Sequence, residues 1–127
     1  MKPLVARAWE ADYLATPAPY ERHRQVLFSS KIQGVTSAAI LAITIPAGGQ
    51  SDPHSHEVSD EFWIITQGHG KVNVDGNEVD IEPDVVAYAP AKSTHQIVNT
   101  GKEILFAWSI LSPAGPEEKV LKLLGKL

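Results

Sequence analysis

The feature that most constrains the fold is a pair of short alternating segments around Asp75-Gly76. Residues 71–75 and 77–81 each alternate apolar with polar side chains, and the Asp-Gly pair between them is typical of a two-residue hairpin turn. Other apolar segments recur at intervals of about 8–12 residues with turn residues between them, which is typical of an all-β sandwich or barrel. The predicted strands outside the hairpin are 22–28, 38–45, 62–66, 85–89, 96–99 and 103–111.

Composition narrows the functional classes. The chain has 127 residues, of which 43% are apolar and 20% charged, and its formal net charge is −4. These values fit an ordinary globular domain, and no clustered basic segment of the kind used for nucleic acids is present. The absence of cysteine excludes disulfides, thiolate metal sites and cysteine nucleophiles, so any metal must be held by His, Asp or Glu.

The N-terminal residues lack the apolar stretch of a signal peptide, and no window approaches the roughly 20 apolar residues that cross a bilayer. We therefore expect a cytoplasmic protein with no membrane and no nucleic-acid partner.

Four residues form a candidate metal site. His54 and His56 share one face if their segment is extended, Glu61 follows five residues later, and His95 could return beside them on a later strand of an antiparallel barrel. Three imidazoles and one carboxylate suit Fe, Mn, Co, Ni, Cu or Zn. The His-x-His pair alone is weak evidence, because such pairs are more often exposed or accidental. His23 and His69 are better interpreted as surface residues.

The surrounding pattern resembles the cupin superfamily, specifically its small single-domain type-2 proteins. Gly48, His54, Ser55, His56, Glu61 and Gly68 stand at the spacings of the first cupin motif, and Pro90, Ala91, Lys92, His95 and Asn99 resemble the second. Asp84 and Lys92 occupy positions where the family usually has glycine.

The resemblance implies a jelly-roll-like antiparallel β-barrel with one divalent transition metal held by His54, His56, Glu61 and His95, Fe or Mn being favoured. It also implies a small-molecule substrate and a homodimer. We predict one cupin domain over residues 1–127, with a motif core at 48–99, an irregular N-terminal arm at 1–25 and a C-terminal helix at 116–127. The apolar stripe of that helix could pack on its own barrel or form a dimer interface; it consists of Val120, Leu121, Leu124 and Leu127.

Strand alternation suggests pocket residues. If Glu61 and His95 point inward, so do the residues two positions along their strands, while Phe106 and Trp108 share a face whose direction is open. Simple core filling is the alternative for each aromatic side chain. The predicted pocket residues are Trp63, Ile65, Gln67, Tyr88, Lys92, Ile97, Phe106 and Trp108. Lys92, Arg22 and Arg24 are candidates for binding an anionic group at the mouth.

The leading functional hypothesis is a metal-dependent enzyme acting on a small organic molecule, by oxygenase-type or by isomerase or lyase-type chemistry. Trp63 and Ile65 favour a hydrophobic or unsaturated substrate. The alternative is a non-catalytic sensor or carrier that binds a metal or a small ligand. No second acid–base group is evident in the sequence.

Overall fold

The computed structural model describes residues 3–127 and contains nine strands, all paired antiparallel. A 3-10 turn at Ala8–Glu10 precedes them and one helix, α1 (Glu118–Leu123), follows. These elements confirm the predicted all-β class with a short C-terminal helix. The strands are β1 (Tyr13–Thr16), β2 (Arg22–Phe28), β3 (Ala39–Ile45), β4 (Asp60–Gln67), β5 (Gly70–Val74), β6 (Asn77–Ile81), β7 (Val86–Ala89), β8 (His95–Asn99) and β9 (Leu105–Ser112).

The strands form two sheets that enclose the core. One has six strands in the order β1-β2-β3-β9-β4-β7, and the other has three in the order β6-β5-β8. Burial alternates along β9, as expected where one face of a strand meets the core and the other faces outward. The core is built from branched aliphatic side chains and one indole, among them Ile43, Ile45, Trp63, Ile65, Ile81, Ile97 and Leu105.

The predicted hairpin is confirmed as β5 and β6, in a register that pairs Val72 with Val79. Asp75 and Gly76 both have positive φ, 50° and 84°, which a type I′ turn requires at its two central positions. The Asn73 side chain accepts a hydrogen bond from the Gly76 N–H and secures the turn.

The N-terminal arm is more regular than expected. Instead of being irregular through residue 25, it contains β1, which pairs with β2 from Tyr13↔Gln25 to Thr16↔Arg22. The cis proline at 19 and its neighbours mark only the turn between these strands. A four-residue edge strand carries too short an alternation to be distinguished from a loop by sequence. Residues 1 and 2 of the predicted arm lie outside the described residues.

The C-terminal helix is shorter than predicted, six residues instead of 116–127. Gly125 (φ 75°) ends it in a Schellman motif, in which Lys126 N–H donates to the Leu121 carbonyl and Gly125 N–H to the Lys122 carbonyl. Val120 and Leu121 are buried in the core, so the helix packs on its own barrel. Over residues 3–127, no helix has the length and hydropathy needed to cross a bilayer.

The two departures from the motif glycines both adopt left-handed backbone conformations. Asp84 has φ 73° and Lys92 has φ 71°, which explains why glycine is favoured there. For a residue with a Cβ this conformation costs about 1–2 kcal/mol. The Lys92 N–H donates to the His56 carbonyl at 2.7 Å, which holds the turn in this conformation.

We therefore expect Lys92→Gly to raise the free energy of unfolding by about 0.5–1 kcal/mol, because relief of the left-handed strain exceeds the added entropy of the unfolded chain. Urea denaturation measures the change. Lys71→Gly, inside strand β5, is the matched control and should destabilise the protein. A loss of stability in Lys92→Gly would mean that the lysine side chain contributes more than its backbone strain costs.

Candidate metal centre

The structure brings His54, His56, Glu61 and His95 together, with one potential ligand atom from each lying within 4.8 Å of the others. The two histidines of the first motif lie in the loop between β3 and β4, Glu61 is the second residue of β4, and His95 begins β8. Glu61 and His95 are buried, whereas the other two imidazoles are partly exposed.

Backbone hydrogen bonds create this convergence. His54 and His95 exchange two of them, from the His54 N–H to the His95 carbonyl at 3.1 Å and from the His95 N–H to the His54 carbonyl at 2.8 Å. This bridge ties the first motif to the three-stranded sheet. Glu61 lies opposite Leu111 and Ala89 in the six-stranded sheet. The site therefore spans the gap between the two sheets.

Neighbouring carbonyls set the imidazole tautomers. His54 Nδ1 donates to the Asp52 carbonyl at 2.7 Å and His95 Nδ1 to the Ser93 carbonyl at 3.2 Å, so Nε2 of each neutral ring is left as a lone-pair donor. His95 Nε2 lies 3.1 Å from Glu61 Oε1. At this distance the two atoms can share the proton of a hydrogen bond, and a metal ion bound by both atoms would take the place of that proton.

The carboxylate is also oriented. Ser109 Oγ donates to Glu61 Oε2 at 2.7 Å, and His56 Nε2 lies 3.2 Å from Oε1. Burial by itself raises the pKa of Glu61, but the hydrogen bonds with His56, His95 and Ser109 outweigh it and lower the pKa to about 2. The group is therefore ionised at neutral pH. Burial lowers the pKa of His54, which favours the neutral ring that binds metals.

The donor set fits a divalent transition ion. Three imidazole nitrogens and one carboxylate oxygen are the borderline ligands that Mn, Fe, Co, Ni, Cu and Zn share. The carbonyls behind His54 and His95 and the hydroxyl behind Glu61 supply the supporting hydrogen bonds that metal ligands usually have.

A cavity of about 640 Å³ opens beside this cluster. The walls come from the β1–β2 turn, the inward face of β2, the first motif and the C-terminal segment. The lining residues are Thr16, Pro17, Tyr20, Arg22, Arg24, Asp52, His54, Ser55, His56, Gly115, Pro116, Lys119 and Leu123. A narrower extension of about 40 Å³ continues inward to Glu61, Ser109 and Glu117.

The eight predicted pocket residues lie elsewhere, and that prediction is corrected. The alternation of side chains along the strands predicted the inward direction correctly for three of them. In a filled barrel, however, an inward-facing side chain packs in the core and does not border a cavity. Trp63, Ile65 and Ile97 are buried in the core, the indole with its centroid 5.4 Å from that of the His95 ring. Phe106 and Trp108 pack edge to face on the outer face of the sheet. Gln67, Tyr88 and Lys92 are exposed.

Of the three basic residues predicted at the mouth, Arg22 and Arg24 do line the cavity. Burial lowers the pKa of Arg22 to about 10, with Arg24 adding to the effect and Asp52 opposing it, and the guanidinium stays charged at neutral pH. Glu117 was not anticipated. This residue is fully buried and accepts hydrogen bonds from Ser29 Oγ and the Gly115 N–H. No local sequence signal distinguishes it from Glu118, which is only partly buried.

Comparisons with known proteins agree with this architecture. The chain is 30% identical to protein MJ1618 of Methanocaldococcus jannaschii over 78 residues, which span 61% of this chain and 62% of that protein. It is 29% identical to the tetracenomycin polyketide synthase protein TcmJ of Streptomyces glaucescens, over 79% of this chain and 71% of TcmJ.

Among solved structures, Rru_A2000 from Rhodospirillum rubrum, a cupin-2 domain, superposes with a TM-score of 0.72 at 26% identity, covering 98% of this chain and 89% of its own. The family model for the cupin domain matches residues 41–111, more than half of the chain. The protein belongs to the cupin domain family.

Proposed function

We propose that this protein is a metal-dependent enzyme that acts on a small organic molecule at the three-histidine, one-glutamate site. The observation that carries the proposal is the position of the cluster beside the cavity: His54 and His56 line both its outer part and its inner extension, and Glu61 lines the inner extension. A divalent ion held there would polarise the oxygens of a chelating substrate.

The candidate ligand side chains are held in place by neighbouring groups, and the cavity beside them has room for a substrate. His54 and His95 are braced by backbone carbonyls, and Glu61 by Ser109, so the ligand side chains are positioned before a substrate arrives. The cavity of about 640 Å³ has the size of a small-molecule site.

Two kinds of chemistry suit such a site, oxygenation of a chelating substrate and proton transfer in an isomerase or lyase. The relative TcmJ is named as a polyketide synthase protein. Polyketides carry repeated carbonyl groups, so diketones are a sensible first class of probe. We favour iron or manganese as the native metal.

The decisive experiment begins with elemental analysis of protein purified without added metal, followed by titration with Mn²⁺, Fe²⁺, Ni²⁺ and Zn²⁺. Oxygen uptake is then measured with a panel of diketones and catechols, and product formation without oxygen use is followed by NMR. A protein that takes up none of these metals would overturn the proposal. A protein that binds metal and small ligands but turns over no compound would instead support a sensor or carrier.

We also propose a homodimer that forms through the outer face of the six-stranded sheet. Register places Phe62 beside Tyr88 and Ile110, and Ile64 beside Val86 and Trp108, so apolar side chains form a continuous, partly exposed patch. Contiguous apolar patches on a protein surface often mark association sites.

Val86→Lys is expected to weaken the dimer at least tenfold, because it places like charges against each other across a two-fold interface. Sedimentation velocity over a concentration series measures the change. Val79→Lys is the matched control, since Val79 on β6 of the other sheet is as exposed as Val86, 61% in each case. A monomeric wild-type protein, or dissociation by Val79→Lys alone, would contradict this interface.

A further inference from the structure

Two arginines project from β2 into the same cavity as the metal cluster. Arg22 and Arg24 are two residues apart on one strand, so their side chains leave the sheet on the same face. Both line the outer cavity and the inner extension, together with His54 and His56. Arg22 is only 7% exposed, so its charge is held inside the barrel and is not part of a solvated surface.

The protein neutralises this pair only in part. Arg22 Nη2 lies 3.2 Å from Asp52 Oδ1, a carboxylate that is itself half exposed. Arg24 Nε is buried and has no hydrogen-bond partner among residues 3–127, and no salt bridge to Arg24 occurs within that range. Arg24 as a whole is partly exposed, but a buried N–H without an acceptor is unfavourable unless a ligand supplies one.

The charged residues around the cavity indicate that such a ligand would be negatively charged. Lys119 joins the arginines at the outer wall, against the single carboxylate of Asp52. Deeper in, the two guanidiniums face the carboxylates of Glu61 and Glu117, so a bound divalent ion would leave the inner extension positively charged. An uncharged form of the hydrophobic or unsaturated substrate that Trp63 and Ile65 favour in the sequence would leave this charge uncompensated.

We propose that Arg22 and Arg24 form a subsite for the carboxylate of a small organic acid. The planar forks of two guanidiniums match the two oxygens of a carboxylate. The subsite specifies the substrate class of the proposed function. It rests on that function in one respect only, namely that the group at the other end of the acid binds the metal. The substrate class is therefore a carboxylic acid with a second oxygen group.

The test is calorimetric titration of the full chain with malonate, in metal-free and in Mn²⁺-loaded form. Malonamide serves as the uncharged analogue and inorganic phosphate as the alternative anion. The metal-free protein should bind malonate and not malonamide, and phosphate should bind more weakly than malonate. Arg24→Gln and Arg22→Gln should each weaken malonate binding about tenfold or more, and Arg24→Lys should fall between wild type and Arg24→Gln.

Arg7→Gln is the matched control, because it removes the same charge from an exposed position. Thermal unfolding confirms that each variant is folded; if Arg22→Gln is not, because Asp52 has lost its partner, Arg24→Gln decides. Equal affinities in Arg24→Gln and Arg7→Gln, tighter binding of phosphate, equal binding of malonamide or no malonate binding by wild type would each overturn the subsite. Because the primary titration contains no metal, failure to bind metal overturns the proposed enzyme while leaving this result intact.

Discussion

Replacement of His95 by alanine is expected to lower the affinity for Mn²⁺, Fe²⁺ or Zn²⁺ by more than about 100-fold. His95 is 2% exposed, and its Nε2 would be the ligand atom because Nδ1 donates to the Ser93 carbonyl. No neighbouring side chain within the described part of the chain extends the four-residue cluster with another His, Asp, Glu or Cys. Inductively coupled plasma mass spectrometry after dialysis against defined metal measures the occupancy.

Two further variants test whether the loss of metal binding is specific to the cluster. His69→Ala removes an imidazole that is 67% exposed and should leave occupancy unchanged. Ser109→Ala removes only the hydrogen bond to Glu61 Oε2 and should weaken metal binding about 10–100-fold. Full occupancy in His95→Ala would show that the metal, if bound, is held by other residues.

Trp63→Ala is expected to lower the free energy of unfolding by about 3–5 kcal/mol, the usual cost of truncating a fully buried aromatic residue. Trp63 is 1% exposed and packs in the core, against the outer edge of the metal cluster through His95. Urea denaturation of the metal-free protein isolates the packing contribution from any contribution of bound metal.

Trp9→Ala is the matched control, since Trp9 is 82% exposed and its loss should change stability by less than about 0.5 kcal/mol. The same two variants distinguish a role of Trp63 in the core from a role in binding substrate. If Trp63→Ala kept the wild-type stability and lost only affinity for small molecules, the indole would belong to the pocket, as its sequence position first suggested.

Much of the fold was predictable because its strands are short, alternating and separated by turn residues. The hairpin at Asp75-Gly76 was found within one residue, since a two-residue turn fixes the register of both strands. The edge strand β1 was missed because its stability comes from pairing with β2 and from Gln25, whose side chain donates to the carbonyls of Ala8 and Ala11. Such contacts join distant residues and leave no local pattern.

The candidate site was predictable in its ligands but not in its cavity. His54, His56, Glu61 and His95 stand at spacings that reflect a fixed motif, and the structure brings them together. Which inward-facing positions border open space depends on where other segments cross the barrel end. The crossing of the C-terminal segment, held by the buried Glu117, is a long-range packing event that strand alternation does not encode.

The cavity walls have a consequence for comparing this protein with its relatives. The family match covers residues 41–111, which supply the metal cluster, whereas the basic pair on β2, the β1–β2 turn and the C-terminal segment all lie outside it. Two cupins could share every matched residue and still present different surfaces to a substrate. Substrate specificity in this protein would then be determined by the flanking segments. Substitutions in those segments could change it without disturbing the barrel.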